Sequence, residues 1–271
     1  MFVVKVPGIN GLGKTDGCKR SGDAILKILG SQIYTNESGK EIDLKNLDLE
    51  EIHLDNNNLQ ETNELIYKNS FEVFETKQKV IFLGGDHSIS YPIVRAFFDY
   101  CHSLDSAKEP CLIVFDAHAD CMAPLKEPTH EEWLRALIKD SFPARNILII
   151  GLRNSTREEL DFIKEKGIKT INFDQLLIDF EGSCDAITEF VNNRELYVSI
   201  DIDAVDPAFA PSTGYPEPGG LTSREIIYLA KRINKIKTLR AVDIVEINAE
   251  KDKKKDYLTL KLGAKILSEF I

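Results

Sequence analysis

The sequence predicts an α/β fold, three layers (α/β/α) built around a mostly parallel sheet. Three observations lead there. Apolar runs rich in β-branched residues recur along the 271 residues. Most lack the alternation of a half-exposed strand, which is the pattern of strands covered on both faces. Segments with readable helix starts stand between those runs, and the alternation persists along the chain, so right-handed crossovers and helices on both sheet faces are expected.

The first expected strand is Phe2–Val6. Ser21 then caps a short helix that Gly30 ends. Residues 31–58 form the least regular stretch, read as surface loops with an edge strand at Glu51–Leu54. A long helix covers Leu59–Lys77, a strand Val80–Leu83 and a further helix Tyr91–Cys101. Cys111–Phe115, Asn146–Ile150 and Lys169–Phe173 are the next strands. Between the last two, Ser155-Thr-Arg-Glu158 has the capping-box pattern, and Gly167 closes the helix it opens. Leu196–Ile202 and Leu239–Val245 complete the strands. Thr222-Ser-Arg-Glu225 opens the helix between them, with Ile226, Ile227, Ala230 and Ile233 on one face, and a last helix spans Asp256–Phe270. No Pro/Gly/Ser-rich linker, repeat or low-complexity tract divides the chain, so residues 1–271 are read as one domain.

Composition narrows the function classes. With 43% hydrophobic and 29% charged residues the chain can bury a sizeable core, and disorder is not expected. Apolar stretches such as Val80–Gly85 and Ile147–Leu152 fall far short of the ~18 residues of a membrane span. Net charge −10, from 34 Lys+Arg against 44 Asp+Glu, speaks against a nucleic-acid partner and suits small cations, metals included. Met1–Pro7 carries no secretory-leader pattern. Cys18, Cys101, Cys111, Cys121 and Cys184 are odd in number and lack CxxC spacing. Reduced thiols in a cytoplasmic protein are therefore expected, with neither a disulfide framework nor a cysteine zinc site.

Ligands of parallel α/β sheets bind beyond the carboxyl ends of the strands, and three polar clusters stand there. Gly84-Gly85-Asp86-His87-Ser88 follows Val80–Leu83. Its glycines allow a tight turn and close backbone approach, delivering His87 at a strand tip as a ligand or as a hydrogen-bonded turn residue. Asp116-Ala-His118-Ala-Asp120 follows Cys111–Phe115. In extended chain residues 116, 118 and 120 point one way and make half of a metal site, whereas in an open loop they are solvated. Asp201-Ile-Asp203-Ala-Val-Asp206-Pro207 ends Leu196–Ile202. Burying Asp201 and Asp203 among Ile200 and Ile202 is costly without a cation, while Asp206 fits an Asx turn before Pro207.

Asp116, Asp120, Asp201 and Asp203 carry four negative charges between them, which two divalent ions neutralise, and His87 and His118 add nitrogen donors. An oxygen-rich set with some nitrogen and no sulfur favours Mn²⁺ over structural zinc, with Co²⁺, Ni²⁺ or Zn²⁺ compatible. Two ions about 3.5–4 Å apart can bridge a water, lower its pKa and hold hydroxide ready to attack.

These residues carry a family likeness. The sequence resembles the ureohydrolases, the arginase/agmatinase family, through GGDHS at 84–88, DAHAD at 116–120 and SIDIDAVDPAFAPSTGYPEPGG at 199–220, with a shorter match, DIVEIN, at 243–248. The resemblance implies a parallel-sheet α/β/α fold assembled as a homo-oligomer, trimer or hexamer, with two Mn²⁺ per chain. It implies that His87, Asp116, Asp120 and Asp201 hold one ion, and Asp116, His118, Asp201 and Asp203 the other. Asp120 would also orient the bridging hydroxide and pass a proton to the leaving amine. Glu246, in DIVEIN, would grip the substrate guanidinium; read without the resemblance it is a salt-bridging residue at a strand end. The implied reaction is attack on the guanidino carbon of a small cationic guanidino or amidino substrate, releasing urea and an amine.

Departures from the family pattern bear on the substrate. The loop after DAHAD ordinarily carries a proton-shuttling His followed by Gly. Here the nearest candidate is His130, with Glu131 in the Gly position, and Thr129-x-x-Glu132 also reads as a capping box that would make His130 a first-turn helix residue. Cys121–Glu127 lacks the Asn and Ser/Thr set with which arginases hold an amino acid. An agmatine-like substrate is therefore the leading expectation. Arginase, guanidinobutyrase and formimidoylglutamase activities are the alternatives, as is a non-catalytic metal-binding or regulatory protein. Lys126 either meets an acidic tail or points into solvent. Trp133 reads as helix packing, Cys121 as a spectator, and Lys251–Lys255 as a solvated loop.

Overall fold

The structure, a computed structural model, describes residues 1–11, 13–103 and 108–271. Among these residues the strands are β1 (Phe2–Lys5), β2 (Asp48–Glu51), β3 (Val80–Leu83), β4 (Pro110–Phe115), β5 (Ile147–Ile150), β6 (Lys169–Ile171), β7 (Glu195–Asp201) and β8 (Leu239–Val245). They form one parallel sheet in the order β2-β1-β3-β8-β7-β4-β5-β6. The helices are α1 (Ser21–Gln32), α2 (Leu59–Thr76), α3 (Ser90–Ser103), α4 (Trp133–Lys139), α5 (Arg157–Lys166), α6 (Phe173–Ile178), α7 (Phe180–Val191), α8 (Ser223–Ile233), α9 (Ala249–Asp252) and α10 (Leu258–Phe270).

The continuous apolar strands have the expected cause. Cys111, Ile113 and Phe115 of β4 point into one core with α1, α7, α8 and α10, while Leu112 and Val114 point into a second core with α2, α3, α4 and α5. Each central strand thus serves two helical layers, and an alternating polar face would have left one layer without a partner.

Several boundaries differ from expectation for identifiable reasons. The edge strand lies at Asp48–Glu51, because its backbone pairs in parallel with Phe2–Lys5 whatever its polarity. Gly30 sits inside α1, where a Cβ would come within 2.4 Å of Leu44 Cδ1, so the glycine serves packing. The capping box of α5 is Thr156 with Glu159, one residue later than Ser155 with Glu158. Glu159 is chosen because its second carboxylate oxygen also accepts the Cys121 N–H, at 3.1 Å. The strand after α5 stops at Ile171, since Asn172 caps α6. Part of Lys251–Lys255 is helical, and Asp252 there is buried, accepting the N–H groups of Thr259 and Leu260 that open α10.

Register positions the site. Leu83 pairs with Ile244, Ile244 with Ile200, and Ile200 with Phe115. The segments that leave the carboxyl ends of β3, β8, β7 and β4 therefore emerge side by side on one edge of the sheet.

Candidate metal centre

Two left-handed glycines turn the chain after β3: Gly84 at φ 96° and Gly85 at φ 81°. A Cβ on Gly85 would stand 2.5 Å from the Gly8 carbonyl oxygen, so this turn requires glycine. The turn delivers His87, which is buried. Its Nδ1 lies 3.1 Å from Asp116 Oδ2, 3.1 Å from Asp120 Oδ2 and 3.2 Å from Asp201 Oδ2. Both His87 Nδ1 and Asp116 Oδ2 are buried without a hydrogen-bond partner. Cis ligands of an octahedral ion with bonds near 2.1 Å stand roughly 3 Å apart, so each of these three contacts has the spacing of a donor pair on one cation.

A second set shares Asp116. His118 Nδ1 lies 2.9 Å from Asp203 Oδ2 and 3.7 Å from Asp116 Oδ1. His87, Asp116 and Asp201 form one group able to hold an ion, and Asp116, His118 and Asp203 another. Asp201 belongs to the first of these groups, and its Oδ1 accepts the Asp203 N–H at 2.8 Å, which ties it to the second. Residues 116–120 are irregular with a bend at Ala117 and His118, whereas extended chain was expected. Ala117 and Ala119 are buried, Asp120 adopts φ 50°, and His118 and Asp120 line one cavity.

The charges balance in a telling way. Burial disfavours protonated His118, yet Asp116 and Asp203 push it up to about 12. His87 is likewise raised against burial by Asp116, Asp120 and Asp201. Burial, then Asp116, raises Asp120 to about 7, while burial and Asp203 raise Asp201. Asp116 is held below the usual carboxylate range, its bonds to His118 and His87 outweighing burial. The carboxylates thus favour positive charge at both imidazoles.

Behind His87 runs a relay that the sequence reading did not assign. Ser199 Oγ donates to Asp243 Oδ1 at 2.6 Å, so the 2.9 Å contact between His87 Nε2 and Ser199 Oγ has the imidazole N–H as donor. That leaves Nδ1 as the ring atom facing the three carboxylates, the one whose lone pair a cation would take once it is deprotonated. Asp243 also accepts from Ser90 Oγ and Tyr197 Oη, each at 2.8 Å. Trp133 is buried as expected, but its Nε1–H also donates to Asp120 Oδ2 at 2.8 Å. Arg153 ties the β7 loop down, donating to the Asp203 and Glu217 carbonyls at 2.6 Å each. Asp206 makes the expected Asx turn, accepting the Ala208 N–H at 2.8 Å.

Glu246 leaves β8 at φ 63° and is buried, which corrects the reading as a surface salt-bridge former. Its Oε1 accepts the His87 backbone N–H at 2.9 Å, and burial, then Asp86, raises its pKa well above the usual range. His130 sits in a turn just before α4, not in a helical first turn, because Glu132 is the N-cap residue of that helix. It is buried, neither ring nitrogen has a hydrogen-bond partner, and its ring lies 5.1 Å from that of Tyr215. Donor atoms of Asp86, His130 and Glu246 lie within 4.8 Å of one another. Lys126 is exposed and donates to Gln60 at 3.4 Å, away from the cleft. All of His87, His118, Asp120, His130, Asp201, Asp203 and Glu246 line one cavity of about 300 Å³, with Met122, Glu131, Ser155 and Tyr215 further out.

Known proteins share this arrangement of sequence and fold. The family model described as "Arginase family" matches residues 2–271. The proclavaminate amidinohydrolase of Streptomyces clavuligerus is 29% identical over 198 residues, 70% of this chain and 61% of that protein. The chain thus spans about three fifths of that relative's length. The agmatinase of Bacillus subtilis is 28% identical over 232 residues, 84% of this chain and 75% of that protein. The solved structure of proclavaminate amidinohydrolase from Streptomyces clavuligerus superimposes with a TM-score of 0.85 at 25% identity, covering 99% of this chain and 89% of that one.

Proposed function

Since the chain belongs to the arginase family, we propose that it is a binuclear-metal amidinohydrolase that cleaves a small guanidino compound, agmatine-like, to urea and an amine. The observation that carries this reading is the convergence of His87 Nδ1 on Asp116, Asp120 and Asp201, with His87 Nδ1 and Asp116 Oδ2 buried and unpartnered. His87, Asp116, Asp120 and Asp201 would hold one ion, and Asp116, His118, Asp201 and Asp203 the second, as Mn²⁺ or, by the same donor set, Co²⁺, Ni²⁺ or Zn²⁺. When bound, the ions supply Lewis acidity and a nucleophilic hydroxide at neutral pH.

The chain's own groups do the rest. Glu246, fixed by the His87 N–H, accepts charge-assisted hydrogen bonds from the guanidinium. The spacing of Asp86, His130 and Glu246 suits a hydrogen-bonding cation seated between them. Asp120 holds the proton that passes to the departing amine. His130, whose pKa burial lowers, is neutral at physiological pH and can relay that proton outward.

Beyond the guanidino end the cavity lining includes Glu131 and Glu159 and, among the described residues, no Lys or Arg. A neutral or cationic tail suits it better than a carboxylate, which favours agmatine over arginine. One observation favours an acidic tail instead: Lys14 Nζ lies 4.3 Å from the centre of the Tyr215 ring. The unpaired, buried cysteines suit a reducing cytoplasmic setting, and a single continuous sheet supports one domain. A homo-oligomer is carried over from the family resemblance.

The test is a urea- and ammonia-release screen after Mn²⁺, Co²⁺ or Ni²⁺ loading, over arginine, agmatine, guanidinobutyrate, guanidinopropionate, guanidine and formimidoylglutamate. Agmatine should give the highest kcat/KM. Turnover confined to carboxylate-tailed compounds would overturn the substrate assignment, and none with any of the six would overturn the activity.

A further inference from the structure

We propose that Trp133 is a positioning residue for Asp120, holding that carboxylate in the geometry a metal pair requires; this rests on the reading of Asp120 as a metal ligand. Trp133 is the single tryptophan of the chain and the first residue of α4, and it is fully buried. Its indole N–H donates to Asp120 Oδ2 at 2.8 Å, and its ring lies over that of His87, centroids 4.6 Å apart. The same helix end holds Asp120 from the other side, since the Leu134 N–H donates to the Asp120 carbonyl at 3.2 Å.

Asp120 needs such restraint. It stands at φ 50°, a left-handed backbone conformation that a side-chain-bearing residue keeps only when its surroundings over-determine it. The indole also decides how the carboxylate is shared. Oδ2 takes the N–H and also faces His87 Nδ1 at 3.1 Å, so the indole fixes the oxygen that meets the histidine. An N–H aimed at a carboxylate is a charge-assisted bond of fixed direction, and partners of this kind behind a metal ligand support metal affinity. The aromatic ring alone would satisfy packing between His87 and the second core. The N–H is what a positioning role adds.

Because the tryptophan is unique, the two contributions can be separated. Replacing tryptophan throughout the chain by 3-benzothienylalanine, in which sulfur stands for the indole N–H, alters this residue alone. Metal-free native chain, the sulfur analogue and Trp133→Phe are compared by equilibrium dialysis against Mn²⁺, with circular dichroism to follow folding. Both altered proteins should bind Mn²⁺ about 10- to 100-fold more weakly at the site that Asp120 serves. In the native chain, indole fluorescence should be quenched as Mn²⁺ saturates. Should Trp133→Phe fail to fold, the near-isosteric analogue decides. Equal Mn²⁺ affinity in the native and analogue chains would overturn the proposal, as would unchanged fluorescence when dialysis counts two bound ions. Absence of any metal uptake by the native chain would remove the proposed function as well, so the two failures are distinguishable.

Discussion

Ser199→Ala isolates the relay behind His87. The hydroxyl lies 2.9 Å from His87 Nε2 and 2.6 Å from Asp243 Oδ1, and both neighbours are buried. Deleting it leaves a buried imidazole N–H without an acceptor and removes one of the three hydroxyl donors of Asp243. An unsatisfied buried donor costs about 1–3 kcal/mol, which at this chain length lowers Tm by roughly 2–5 °C. With the Nε2–H no longer tethered, the ring and its Nδ1 lone pair lose their fixed aim. Loss of such a partner typically weakens metal binding about 10- to 100-fold, or ~1.4–2.7 kcal/mol. The assays are thermal melts of metal-free protein and equilibrium dialysis against Mn²⁺, with Ser199→Thr as the variant that keeps the hydroxyl. If Ser199→Ala matched the native chain in both melting and Mn²⁺ affinity, His87 would not depend on the relay for its orientation, and the argument would fail.

Further expectations follow from the same geometry. Glu246→Gln keeps shape but removes the carboxylate proposed to grip the guanidinium, so kcat/KM for the best guanidino substrate should fall about 10- to 150-fold, for a charged hydrogen bond of ~1.5–3 kcal/mol; an unchanged value would reject its clamp role. Asp203→Asn leaves an acceptor for the Ala117 N–H, now at 3.0 Å, so the fold should survive while dialysis counts one ion per chain instead of two and turnover is lost. Metal uptake should release protons. His118, raised to about 12, and His87, also raised, must both deprotonate to bind an ion, so Mn²⁺ affinity should climb with pH and a lightly buffered titration at pH 8 should show net proton release. Asp120 bears on the stability of the metal-free fold. Its pKa, raised to about 7, means that the folded chain keeps a proton the unfolded chain has lost near pH 4, so metal-free stability should decline between those values as pH rises, a decline that urea melts at several pH values would detect.

The carboxylate–histidine cluster was legible because its chemistry is written locally. Glycine pairs and alternating Asp/Ala or Asp/Ile stand directly after apolar strands, and the cost of burying four carboxylates points to cations wherever they meet. Ser199 and Asp243 were not assigned, although each is a polar residue inside an apolar run, which is the available signal. Their partnership depends on the register that sets Ser199 opposite Asp243. The cap of α5 shows the same limit. Ser155/Glu158 and Thr156/Glu159 have equal spacing, and only the distant Cys121 N–H selects the second.

Strand order has a consequence for biosynthesis. β8, the last strand in the chain, lies between β3 and β7 in the middle of the sheet. Until it emerges from the ribosome, β2-β1-β3 and β7-β4-β5-β6 share no hydrogen-bonded edge, and Glu246 is not yet available. The nascent chain therefore exposes two unpaired edges on opposite half-sheets, the kind of surface on which aggregation begins. Insertion of one late strand at once closes both edges, sets Asp243 opposite Ser199 and brings His87 beside Asp116 and Asp201. A truncation before Leu239 would remove the joint between the halves rather than trim an edge.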